Sequence, residues 1–427
     1  MLYFLKKSIP QSYKNMYHFV QAISACFWFG FPAKKIKIIG VTGTDGKTTT
    51  ANMIENVLRE AGYSVALAST INFRIAGKET INKTKYTTLS SFFVQGFLQK
   101  AVEKKCEYAI LEVSSHALDQ NRLWGIHFDI AVLTNITREH LDYHKTMKEY
   151  RKAKRKLFEK ANNIIIPEKL SSYQEFLSVL AKRKILYGLS SSIKEKDIEY
   201  FCAKNIQITM LGSHFSFEGE NFFLSLPGKF NVENALATLV VAQVVGVDKG
   251  VSKKTLSSIQ TIPGRMEKIS NERGITIIID YAVTPEALKT VYSFISKIKK
   301  EGKIIAVFGA CGDRDRGKRP LMGEIVDRYA DTIILTNEDP YWEDPERILD
   351  EIEKGIQKKE KNVEYFRIFD RREALKKALS LAQKGDIVLV TGKGAEEAIF
   401  EKGKMLPWND KKVITSLLKE VYSYELS

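Results

Sequence analysis

The chain has 427 residues, 44% of them hydrophobic and 27% charged, with a formal net charge of +15. That length excludes a single small core and predicts two or three domains, and the balance excludes a disordered or fibrous chain. The 66 basic residues are spread along the chain rather than clustered beside aromatics, which argues against nucleic acid and for anionic small substrates or an anionic surface. The four cysteines, Cys26, Cys106, Cys202 and Cys311, stand alone, so neither a zinc ribbon nor a disulfide framework is expected, and a reducing compartment fits.

In chain order, residues 1–35 form a short amphipathic segment. Tyr17 to Pro32 is aromatic and aliphatic, with Lys14 before it and Lys34, Lys35 and Lys37 after it. His18, Gln21 and Ser24 interrupt the run, so it reads neither as a signal peptide nor as a spanning helix. Two readings stand. It lies on a membrane surface with lysines toward headgroups, or it packs on the following domain.

Ile36 to Val41 is an apolar run predicting a strand. Gly43-Thr44-Asp45-Gly46-Lys47-Thr48-Thr49-Thr50 follows, and then Met53, Ile54, Val57, Leu58 and Ala61 share one helical face. Strand, glycine turn with lysine and helix start, in that order, make a polyphosphate cradle. Backbone N–H groups and the helix end face the anion, Lys47 reaches the outer phosphates, and the Thr48 hydroxyl can ligate Mg²⁺. Two residues separate the glycines, where the usual Walker pattern has four.

Strands are predicted at Lys37–Thr42, Ser64–Ala68, Tyr108–Val113, Asp129–Thr134 and Asn163–Ile166 with helices between, an alternation that calls for a parallel sheet. Ile206–Leu211, His214–Glu218 and Phe222–Leu226 read as a small antiparallel meander, and Val232–Val245 as a helix. A boundary falls near Ile262-Pro263-Gly264. Beyond it, strands at Ile275–Asp280, Lys303–Phe308, Thr332–Thr336, Glu364–Ile368 and Asp386–Val390 alternate with helices such as Pro285–Lys300 and Arg371–Gln383. The fold class is therefore α/β: a central P-loop NTPase-like domain (36–263) followed by a Rossmann-like C-terminal domain (264–427). Ligands in such sheets sit at the carboxyl ends of strands, where Asp280, Gly309–Arg319, Asn337–Tyr341 and Gly392–Glu396 fall. By the same rule Glu112-Val113-Ser114-Ser115-His116 and Asn135 to Asp142 surround the phosphates, with Glu112 an oxygen ligand and His140 a nitrogen ligand for metal.

These motifs, the one from Asn135 extending to His144, occur in order with Ala153-Lys154-x-x-Leu157-Phe158, Phe230-Asn231-x-x-Asn234, Gly264-Arg265-Met266-Glu267, Asp280-Tyr281-Ala282, Gly312–Gly323 and Gly392-Lys393-Gly394. Together they resemble the Mur ligases of peptidoglycan synthesis over roughly residues 36 to 410. The Gly312–Gly323 run most resembles the MurE type, which adds the third amino acid to UDP-N-acetylmuramoyl-L-alanyl-D-glutamate. The resemblance implies a cytoplasmic, monomeric, ATP- and Mg²⁺-dependent amide ligase of cell-wall biogenesis that acts through an acyl phosphate. It implies Lys47, Glu112, His140 and Lys154 as catalytic, and Gly43, Thr44, Asp45, Gly46, Lys47, Thr48, Thr49, Asn234, Arg265 and Asp280 at the nucleotide. Two Mg²⁺ ions would be held by Thr48, Glu112, His140 and Lys154, the lysine as its carbamate. Thr87, Thr88, Ser114, Gln120 and Arg122 would hold the UDP-sugar peptide. Arg314, Glu338, Asp339, Tyr341, Gly392 and Glu396 would hold the incoming free amino acid.

The chain departs from the family pattern in three places. Only 42 residues precede the P-loop, where about a hundred forming the uridine-diphosphate domain are expected. Glu338-Asp339-Pro340-Tyr341 replaces the Asp-Asn-Pro-Arg of diaminopimelate-adding enzymes, which favours a cationic side chain such as lysine or ornithine. Val283 and Ala395 stand where family histidines do. Two rival readings remain: a superfamily ligase acting on another carboxylate (pseudomurein-like or folylpolyglutamate-like), and an ATP-binding scaffold without catalysis.

Overall fold

An apolar strand that ends at glycine and re-emerges as a helix sets the centre of the first sheet. In the computed structural model, which describes residues 10–189, 195–299 and 301–425, that strand is β1 (Lys37–Thr42), and the helix is Lys47–Glu60. The expected 1–35 segment therefore falls outside the described residues for positions 1–9; from Gln11 to Trp28 it is a helix. No described helix is long and apolar enough to cross a membrane.

The chain forms two compact units, one of residues 1–136 and 144–260, the other of residues 137–143 and 261–427. In the first, β2 (Val65–Ala68), β3 (Asn72–Ile75), β4 (Lys78–Ile81), β5 (Tyr108–Glu112), β6 (Phe128–Leu133), β7 (Ala161–Pro167), β8 (Arg183–Gly188), β9 (Glu199–Thr209), β10 (Gly212–Phe217) and β11 (Glu220–Leu224) join β1 in one sheet ordered β11-β10-β9-β8-β7-β6-β1-β5-β2-β3-β4. From β2 to β9 neighbours run parallel, and both ends turn antiparallel. The meander thus continues the parallel sheet through β8 and β9. Val41 is level with Glu112, and Thr42 with Leu133, so the ends of β5 and β6 flank the turn after β1. Ile38, Ala109, Ile110, Ala131, Ile164 and Leu186 lie fully buried in this sheet.

In the second unit β12 (Glu267–Ile269) pairs antiparallel with β13 (Thr276–Asp280), and β14 (Ile304–Phe308), β15 (Thr332–Leu335), β16 (Tyr365–Arg367) and β17 (Ile387–Thr391) complete the order β12-β13-β17-β14-β15-β16. The chain moves outward from β14 to β16 and then inserts β17 on the other side of β14, so the switch in direction lies between β14 and β17. A hairpin of β18 (Ala398–Glu401) and β19 (Lys404–Pro407) follows.

Candidate functional site

The turn after β1 is shaped by its glycines. Gly46 caps the helix Lys47–Glu60 at φ +79°, and a Cβ there would stand 2.5 Å from Asn234 Oδ1. At Gly43 a Cβ would stand 1.8 Å from the Thr134 hydroxyl. No side chain fits either position, and the turn holds against neighbouring strand ends. Thr44 N donates to Asn135 O (3.0 Å), Asp45 N to Asn135 Oδ1 (3.0 Å), and Thr134 Oγ1 to Asp45 O (2.6 Å). The helix opens with Lys47, Thr48 and the buried Thr49, and no acid lies in its first turn. Asn234, on the helix Lys229–Val245, accepts from Thr50 Oγ1 at 3.2 Å.

Glu112 ends β5 beside this turn, 2% exposed. It accepts from Thr48 Oγ1 (3.1 and 3.0 Å), from Thr70 N (2.8 Å) and from Thr70 Oγ1 (2.8 Å). Thr70 follows β2, another strand end, and its hydroxyl oxygen also lies 3.0 Å from Thr87 Oγ1. Thr88 Oγ1 donates to Glu112 O (3.1 Å) and accepts from Ser114 N (2.9 Å). Arg122 reaches Thr88 O at 3.0 Å and donates Nε to Gln120 Oε1 at 2.7 Å. Thr87, Thr88, Ser114, Gln120 and Arg122 thus form one connected polar group around the Glu112 strand end.

Lys154 lies on the inward face of the helix Met147–Phe158, 1% exposed. Its Nζ donates to Gly43 O at 2.6 Å and sits 4.6 Å above the Tyr150 ring, whose hydroxyl lies 3.1 Å from Thr44 Oγ1. Burial, reinforced by Lys47, holds the amine well below its ordinary range, which shifts its equilibrium toward the neutral form. Lys47 Nζ donates to Thr44 O at 2.7 Å. The structure therefore brings Lys47, Thr48, Glu112, Asn234 and Lys154 to one turn. His140, at φ +57°, belongs to the segment 137–143, which clusters with the second unit.

Two residues near the turn escaped sequence reasoning, and a third, His144, entered only as the last residue of the motif that begins at Asn135. Thr70 could have been found by the strand-end rule that found Glu112. Tyr150 carried no such signal. His144 Nε2 lies 2.9 Å from Ser115 Oγ, and burial lowers the imidazole to about 4.

The second unit gathers a different chemistry at the β14–β17 switch. Cys311 Sγ donates to Glu338 Oε1 at 3.0 Å, and Gly392 N donates to Asp280 O at 3.2 Å. Glu338 is 2% exposed, its Oε2 is buried without a hydrogen-bond partner, and burial raises its carboxyl. Lys393, fully buried, donates to Asp339 Oδ2 at 3.0 Å and to Glu396. Tyr341, at φ +53°, packs on Phe400 with ring centroids 5.0 Å apart, and the Arg314 guanidinium lies 5.2 Å above its ring. Arg314, Glu338, Asp339, Tyr341, Gly392 and Glu396 thus share one strand-end cluster. Asp280 stands at the end of β13, accepting from Met266 N (2.8 Å) and Ala282 N (2.9 Å), with Arg265 stacked 4.5 Å over Tyr281 beside it. Lys318, expected only as part of a motif, donates to Glu139 Oε1 at 3.1 Å and to Val283 O at 2.9 Å.

Comparison with known proteins adds family relationships to this geometry. Residues 41–242 match the Mur ligase middle domain, and residues 264–394 match the Mur ligase glutamate ligase domain. The UDP-N-acetylmuramoyl-L-alanyl-D-glutamate–2,6-diaminopimelate ligase of Syntrophomonas wolfei is 37% identical over 407 residues, covering 93% of this chain and 81% of that protein. The ligase of the same name from Aquifex aeolicus is 37% identical, covering 92% and 80%. A solved structure of a UDP-N-acetylmuramoyl-L-alanyl-D-glutamate–2,6-diaminopimelate ligase aligns with TM-score 0.61 at 32% identity, over 91% of this chain and 79% of that one. Mycobacterium tuberculosis folylpolyglutamate synthase, complexed with ADP and AMPPCP, shares the fold at TM-score 0.71 and 16% identity, with 95% of each chain covered.

Proposed function

The chain belongs to the Mur ligase family, and from that premise we propose that it joins an amino acid to a UDP-N-acetylmuramoyl dipeptide at the expense of ATP. The observation that carries this reading is the joint at Gly43–Gly46, where Thr48, Glu112 and the buried Lys154 converge on a turn too tight for side chains. A substrate carboxylate is a poor electrophile. Its oxygen attacks the γ-phosphorus of ATP, the bond to the β–γ bridging oxygen breaks, and ADP leaves an acyl phosphate. The amine of the incoming amino acid then attacks the acyl carbon, loses a proton and expels phosphate. Lys47 and the N–H groups of the turn stabilise the charge on the transferring phosphoryl group. Fixing both reactants contributes on the order of 7 kcal/mol or more.

The residues present fit Mg²⁺. Thr48 and Glu112 offer hard oxygens, and a neutral buried Lys154 amine is the form that takes up CO₂ as a carbamate. Thr48, Glu112 and the Lys154 carbamate would hold the ions, which supply charge neutralisation at the phosphates. Thr87, Thr88, Ser114, Gln120 and Arg122 serve the UDP-sugar peptide, with Asn234 at the nucleotide. The enzyme acts as a cytoplasmic monomer. Phosphate release that requires both a UDP-muramoyl dipeptide and an amino acid is the expected result. Release without either substrate, or only with an unlinked acceptor, overturns the reading.

For the incoming amino acid we favour a cationic side chain. Lys393 already pairs with Asp339 and Glu396, which leaves Glu338 as the acid with a lone oxygen unanswered. A second reading, diaminopimelate as in the relatives' names, is favoured by Arg314 on the Tyr341 face. The parent should use lysine or ornithine at least about tenfold better than diaminopimelate, and Tyr341→Arg should narrow that ratio. A parent that prefers diaminopimelate sinks the cationic assignment and leaves the ligase reading intact.

A further inference from the structure

The helix Gln11–Trp28 is apolar on its outward face as well as its inward one. Its inward face holds Ala22, Ala25 and Cys26, fully buried, together with Asn15, whose amide donates to Asp119 Oδ2 at 3.0 Å. That face is anchored. Phe19 packs edge-on against Trp124 at 6.0 Å, and the Gln95 amide meets Cys26 Sγ at 3.2 Å. The outward stripe is Tyr13, Met16, Tyr17, Val20, Phe27 and Trp28, spaced at helical intervals, with Trp28 79% and Phe27 69% exposed. Such a stripe is what a soluble surface normally avoids.

Charge completes the pattern. No Asp or Glu precedes Asp45, while six lysines do. Lys34 and Lys35 are exposed on the short 3₁₀ turn that follows the helix, and Lys34 Nζ stands 5.0 Å above the Phe31 ring, itself edge-on to Phe27 at 5.2 Å. Aromatic rings and ammonium groups therefore emerge side by side, as they do where a helix lies at the level of lipid headgroups. The 18-residue helix offers a straight ridge about 27 Å long rather than a groove. A second copy would set lysine against lysine with no acid on the helix to answer it.

We propose that this helix is a fixed docking ridge for an anionic lipid surface, with Phe27 and Trp28 entering the headgroup layer and Lys34 and Lys35 contacting lipid phosphates. It places the enzyme at a membrane surface, none of the described helices being long and apolar enough to cross one. The test is flotation of the purified full-length chain with phosphatidylcholine vesicles, with and without phosphatidylglycerol. The parent should float only with the anionic vesicles, and less at high salt. Phe27→Ser/Trp28→Ser leaves the charge unchanged and should lose at least tenfold in binding, with the same helical circular dichroism and the same phosphate release in solution. Lys34→Gln and Lys35→Gln should each weaken binding about fivefold. Should the serine variant misfold, quenching of the parent's Trp28 by brominated lipid, absent in Trp28→Phe, decides the matter. The proposal fails if the parent stays unbound at low salt, if the serine variant floats as tightly as the parent, or if Trp28→Ser instead abolishes a dimer seen by sedimentation.

Discussion

Lys154 is a cation placed where a cation is poorly tolerated. It is buried, it shares its surroundings with Lys47, and its Nζ donates to the Gly43 carbonyl at 2.6 Å. A neutral amine relieves that conflict, and reaction with CO₂ turns the same side chain into an anion suited to metal. Activity should therefore fall in CO₂-depleted buffer and return with bicarbonate, and Lys154→Arg should lose at least about 100-fold in phosphate release with no bicarbonate response. Equal activity with and without CO₂ would remove the carbamate from the scheme. His144 makes a second prediction at this scale. Burial drops its pKa from 6.5 to about 4, so the unfolded chain takes up the proton first. Its contribution to stability is intact above about pH 6.5 and declines as pH falls toward about 4. Urea unfolding across that window should show a decline that His144→Gln flattens.

Among the elements, the helix Arg371–Leu381 and the helix Asp410–Glu425 meet through an ion pair with both partners buried. Arg371 donates Nε and Nη2 to Asp410 at 2.8 and 2.7 Å, and also reaches Asn337 O and Thr391 O, each at 3.2 Å. The pair thus ties two helices to the ends of β15 and β17, where Glu338 and Gly392 stand. Asp410→Asn leaves a guanidinium buried without its counter-charge, and should lower the stability of that unit by about 3–5 kcal/mol in chemical denaturation. Arg371→Leu/Asp410→Leu should recover part of the loss. None of this was readable beforehand, because an arginine and an aspartate 39 positions apart carry no local pattern. The strands that were readable are those with long apolar runs, such as Ile304–Phe308 and Ile387–Thr391, buried throughout. The hairpin Asn72–Ile81 was missed because β4 is exposed along its length and its turn uses Ala76 at φ +47° in place of an asparagine. Arg183–Gly188 was missed because its charged start hides four buried residues. Glu112 was readable from its place at a strand end, whereas Thr70, two residues beyond the end of β2, looked like one more polar turn residue.

For the whole molecule, net charge makes its own prediction. The proposed substrates, ATP and a UDP-linked muramoyl dipeptide, are polyanions, and the chain carries +15. Their approach should be steered by a field that salt screens, the Debye length shrinking from about 30 Å at 0.01 M to about 8 Å at 0.15 M. Encounter, rather than chemistry inside the closed site, feels that change, because buried interactions such as Thr48 with Glu112 are screened far less. kcat/KM for both anionic substrates should therefore fall several-fold across that range while kcat stays within about twofold, and kcat/KM for a cationic amino acid such as lysine should not fall, because salt screens its repulsion from the same field. A salt effect confined to kcat would place the sensitivity in the reaction steps instead. The same measurement on Phe27→Ser/Trp28→Ser should be indistinguishable from the parent, because the substitutions remove rings and leave the charge unchanged, so steering of substrate and docking at a surface can be separated within one protein.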